Sequence, residues 1–176
     1  MQQMIEQTVW EDLHSYLVGK GLMDERTPEC PDVEDKWEAI AESYIQDGIR
    51  EFNSYPEVSL GWMMFIGMAM ATFWDEDWAS YKNVPDLYVW IRGARGYDCL
   101  DEYVLEEILK LDAEAASKTS GIVADCASRV NSILRHAPVE PGTAEAFKAY
   151  VGCLHQLYLA GMAMQLNALG YHMTRL

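Results

Sequence analysis

Apolar positions recur at helical spacing along almost the whole chain, and no strand-type alternation is sustained. Ile5, Val9, Leu13, Tyr16 and Leu17 lie three or four residues apart, with Glu6, Glu11 and Asp12 elsewhere on the turn. They predict a first helix, ended by Gly19 and Gly21. Residues 24–32, DERTPECPD, read as a polar loop. Asp32 is expected to cap a second helix whose stripe is Trp37, Ile40, Ala41, Tyr44, Gly48 and Phe52. Ser54-x-x-Glu57 reads as a capping box, with Pro56 in the first turn of a third helix over 56–81. Residues 83–86, NVPD, open a short fourth helix with Leu87, Tyr88 and Ile91, which RGARG (92–96) is expected to break. Asp98 is expected to cap the next helix. From Val104 to Ile133 the apolar residues stay nearly in phase, which fits one long helix over 98–136 or two pieces parted near SKTSG (117–121). APVEPG (137–142) reads as a loop, and Thr143 as the cap of a last helix over about 143–173. The expected fold is a single all-α domain over 1–176, a compact bundle of about five to seven helices.

Two stretches of this pattern lack any charge: Val58–Trp74, 17 residues, and Ala149–Thr174, 26 residues. A helix apolar on every face is buried on every face, in a protein core or in a bilayer. The first stretch is shorter than the roughly 20 residues a bilayer needs. The second carries His155, Gln156, Gln165, Asn167 and His172, and neither flank is clearly basic. The core reading is therefore preferred, and no membrane role is expected. Both stretches contain the quartet GMAM, at 67–70 and 161–164. Small residues let helix backbones approach, and Met fills irregular gaps. In the last helix, Ala149, Cys153, Gln156, Ala160, Ala163, Asn167 and Gly170 form a stripe of small and amide side chains. Val151, Leu154, Tyr158, Met162, Leu166, Leu169 and Met173 form a larger-residue face. The quartet reads as a packing device that brings two central helices into contact. An internal duplication is the alternative, resting on four matching residues.

Composition narrows the function classes. The chain has 28 Asp and Glu against 13 Lys and Arg, a formal net charge of −15. That balance excludes the basic footprint of a nucleic-acid binder and disfavours anionic membranes. Residues 1–57 hold 14 acids against four basic residues, so the acidity is concentrated there. Cys30, Cys99, Cys126 and Cys153 form no CxxC pair and read as free thiols. The N-terminal segment has neither a basic region nor an apolar core of the secretory type, and a cytoplasmic protein is expected.

Candidate chemistry is sparse. No cofactor or metal site is expected: GxSxG, HExxH, GxGxxG, EF-hand and zinc spacings are all missing from the sequence. Glu11-x-x-His14 has the spacing of a di-iron ligand pair but no companion pair, and reads as a surface pair. His155 has no acid within one turn and reads as a core histidine. Residues 74–78, WDEDW, set three acids near a helix end, against its dipole. Arg92 and Arg95, in their glycine setting, are the expected salt-bridge partners.

Two function classes follow. The first is a non-enzymatic interaction module, of inhibitor or immunity type, that captures a basic protein through Glu34, Asp35, Glu38 and Glu42 or the WDEDW segment. The second is a small-molecule binding protein or enzyme whose pocket gathers Asp75, Asp77, Trp78, Arg92, Arg95 and His155. A homodimer face or a partner site is a further expectation, because Trp10, Trp78 and Trp90 are many indoles for one core of this size.

Overall fold

Most of each uncharged segment lies in one of the two innermost helices. A computed structural model describes residues 2–172. In chain order it contains α1 (Gln2–Gly19), α2 (Pro31–Glu34), α3 (Trp37–Ser54), α4 (Pro56–Tyr81), α5 (Leu87–Arg95), α6 (Leu100–Tyr103), a π-helical turn (Val104–Ile108), α7 (Ala113–His136) and α8 (Ala144–Ala168). The described residues contain no strand, so the fold is all-α. Among the described residues the α-helices number eight, because α2 and α6 are four-residue turns, too short for periodicity to reveal.

In α4 every residue from Met63 to Phe73 is buried. This helix is long and apolar enough to cross a bilayer, but most of its apolar stretch is enclosed by the other helices. Its contact with α8 explains the repeated quartet. A Cβ on Gly67 would fall on the carbonyl oxygen of Tyr158, three residues before Gly161. A Cβ on Gly161 would fall on the carbonyl oxygen of Met64, three residues before Gly67. The two backbones thus touch reciprocally, each glycine supplying the gap for the other helix's carbonyl, an approach that suits Cα–H···O contact. Ser59 meets Tyr150 near the start of both helices, so α4 and α8 run in the same direction.

The contact face of α8 is that of Tyr158, Gly161 and Met162, within the larger-residue side. The small stripe turns elsewhere: Gln156 reaches Glu6 of α1. α1 packs on α8 through Ile5, Val9, Leu13 and Leu17, all buried. α7 lies antiparallel to α1, with Tyr16 Oη donating to Asp125 at 2.5 Å and Arg129 pairing with Asp12 at 3.2 Å. α3 folds back along α4, and Ser59 Oγ donates to the Gly48 carbonyl at 2.8 Å.

Several local expectations are corrected. Asp32 lies inside α2 and accepts from Trp74 Nε1 instead of capping a helix. The Ser54–Glu57 capping box does not form, since Tyr55 flanks α4 and no side chain caps it. RGARG does not break α5: its first four residues are the last turn, and Gly96, at φ 86°, ends it. Cys99, not Asp98, precedes α6, without a side-chain cap. The 98–136 region is broken before α7, at Leu109–Asp112, where Lys110 adopts φ 54° and Asp112 caps the new helix. SKTSG lies within α7. α8 stops at Ala168, and Met173 lies outside the described residues.

Candidate functional site

α3 is amphipathic, with Ile40, Ala41, Tyr44 and Gly48 inward. Residues one turn apart share a face, so Glu38 and Glu42 stand together on the solvent side, and Asp35 is exposed just before the helix. Among the described residues none of the three has a salt-bridge partner. Lys36 lies between them in sequence, but its Nζ donates to the Lys82 carbonyl at 3.0 Å and sits 5.9 Å from the Trp78 ring. Glu34 differs from its neighbours: it is half-buried and accepts from the Cys30 backbone N–H at 3.0 Å.

Beside this acidic face lies α5. Asp86 caps it, accepting from the Val89 N–H at 3.1 Å, and also accepts from Ser43 Oγ, which joins α5 to α3 next to Glu42. Leu87, Tyr88 and Ile91 point inward, which leaves Val89, Trp90, Gly93 and Ala94 outward. Trp90 is 44% exposed and rests edge-on against Phe73 and Tyr81, which stack at 4.2 Å. Of the three tryptophans singled out from the sequence, Trp10 and Trp78 are half-buried and Trp90 is exposed.

Under the same surface runs a polar network that periodicity concealed. Tyr44 Oη donates to the Ser59 carbonyl at 2.5 Å and lies 3.2 Å from Tyr97 Oη. Ser59 Oγ is 2.6 Å from Tyr150 Oη. Tyr88 Oη and Arg92 Nη1 both donate to Asp47, at 2.6 and 2.8 Å. Burial would raise the Asp47 carboxyl, but these two hydrogen bonds and the Arg92 charge outweigh it and hold the group below its ordinary value. Burial pushes the tyrosine hydroxyls up, so at neutral pH they are donors rather than bases. The one sequence signal was Gly48 within an apolar stripe: a Cβ there would lie 2.5 Å from the Tyr44 ring and 2.8 Å from Tyr150 Oη.

The six residues of the expected pocket have separate partners. Asp75 accepts from Tyr171 Oη at 2.6 Å, and Asp77 from Ser80 Oγ at 2.8 Å. Trp78 faces Lys36. Arg92 pairs with Asp47, and Arg95 with Glu106 and Glu107 at 2.8 and 3.1 Å, so neither arginine serves the WDEDW acids. His155 stacks on Trp37 at 4.7 Å and 12°, and burial lowers its pKa against the opposing pull of Glu6. Asp77 interrupts α4 with an extended backbone, φ −164°, at the point where the helix leaves the core.

His14 bonds the Glu25 carbonyl at 2.8 Å rather than joining Glu11, and no cluster able to hold a metal occurs among the described residues. Cys30, Cys126 and Cys153 are buried free thiols, and burial pushes the latter two up to about 12. No protein-family model matches the chain, and no curated protein or solved structure is significantly similar to it.

Proposed function

We propose that this protein is a non-enzymatic interaction module that captures a basic protein surface, in the manner of an inhibitor or immunity protein. The observation that carries this reading is the outward face of α2–α3. Asp35, Glu38 and Glu42 are exposed there without salt-bridge partners among the described residues, on a chain of net charge −15. A field of that sign steers a cationic partner and raises its association rate. Val89 and Trp90, exposed on the adjacent helix α5, supply an apolar anchor of the kind that sets dissociation rates.

The test is stopped-flow association with the partner recovered from the protein's own cells. The triple variant Asp35→Lys, Glu38→Lys, Glu42→Lys should associate about tenfold more slowly at low salt, and the difference should shrink as salt screens the field. Trp90→Ala should instead accelerate dissociation, by about thirtyfold. An association rate indifferent to both charge reversal and salt would refute the reading. Sedimentation of the isolated chain separates out self-association through Trp90, which would appear as a dimer that Trp90→Ala abolishes.

A further inference from the structure

A cavity of about 250 Å³ opens where α4, α7 and α8 meet the loop after α1. We propose that it binds a small anionic amphiphile, a carboxylate on a compact apolar body. The proposal is independent of the acidic face on α3.

The first support is the wall. Met68 of α4, Ile122 of α7, Met164 of α8 and Leu22 line it with aliphatic and thioether side chains. An apolar cavity of about 150 Å³ accepts benzene, and drug-sized ligands need about 300 Å³ or more. The cavity therefore suits a substituted ring or a short alkyl chain. The second support is the backbone. Leu109 and Leu111 both line the cavity. In an α-helix residues two apart face different ways. Here the π-helical turn and the left-handed Lys110, φ 54°, turn both leucines to one side. A left-handed backbone at a residue that is not glycine is disfavoured, and such irregularities gather at ligand sites. The third support is charge. In a chain with 28 acids, no acidic side chain lines this cavity. Lys118 does, with Thr119 beside it and Gln165 across from it on α8. Among the described residues neither Lys118 nor Lys110 has a salt-bridge partner. An apolar chamber with an exposed lysine among its lining residues, and no acid among them, fits a carboxylate whose body enters first.

The probes are octanoate and 1-octanol, which share an apolar body and differ in charge, titrated calorimetrically into the full chain. Octanoate should bind with a dissociation constant of about 1 mM or tighter. Lys118→Met should weaken octanoate about tenfold and leave octanol unchanged. Ala115→Phe, which fills the cavity, should abolish binding of both while the thermal midpoint stays at or above that of the wild type. Three results would overturn the proposal: no octanoate binding by the wild type at millimolar concentration, octanoate binding undiminished by Ala115→Phe, or equal loss of both probes on Lys118→Met.

Discussion

Glycine has opposite meanings at different sites in this chain. At Gly67 and Gly161 a methyl group would collide with the backbone of the facing helix, which cannot yield without parting α4 from α8. Gly67→Ala and Gly161→Ala should each cost about 2 kcal/mol or more, read as a lower urea midpoint. Gly121, inside α7, has open space where its Cβ would be. Gly121→Ala should stabilise by about 0.5–1 kcal/mol, because only the backbone-entropy term remains. His155 carries the pH dependence that belongs to a single residue. Burial lowers its folded pKa from the ordinary 6.5. Below about pH 6.5 the unfolded chain takes up a proton that the folded chain resists, so stability falls as pH falls toward the folded value. His155→Phe keeps a ring against Trp37 and removes the titration. It should lose less stability than the wild type between about pH 7 and pH 5 in urea titrations.

The helix termini separate real caps from apparent ones. Thr143 accepts from the Ala146 N–H at 3.1 Å, and Asp112 from the Ala115 N–H at 2.8 Å. Thr143→Ala and Asp112→Ala should each cost about 1 kcal/mol. Ser54→Ala and Asp98→Ala should cost little, because neither side chain caps a helix. Thermal unfolding of the four variants checks the contrast. Thr143 was legible because its helix follows a proline-containing loop that forces an entry point. Ser54 misled because α3 continues through it, and the chain turns within one residue, at Tyr55. The break before α7 was hidden for a related reason. Apolar residues recur at near-helical spacing on both sides of the break, with Val104 and Ile108 buried before it and Cys126 and Val130 after it.

For the whole molecule, charge and apolarity are divided between layers. The uncharged segments of α4 and α8 fill the centre, and the charges lie on their ends and on the elements around them, with Asp35, Glu38 and Glu42 exposed. The slowed association expected of the triple lysine variant belongs to this level, because steering sums the field of the whole surface rather than one contact. The all-α class, the two central helices and their mutual contact were readable from sequence. Burial on every side demands an absence of charge, and that absence is a local property of a segment. Which face of α8 meets α4 was not readable, since a small stripe and a larger-residue face both qualify until α1 claims the first. Nor were the partners of Arg92 and Arg95, which came from Asp47 and from Glu106 and Glu107 rather than from the nearer-looking WDEDW acids. The tyrosine network and the cavity share that origin. Each joins side chains from helices far apart in the chain, and such proximity is decided by how the helices stack, which no periodicity along one of them encodes.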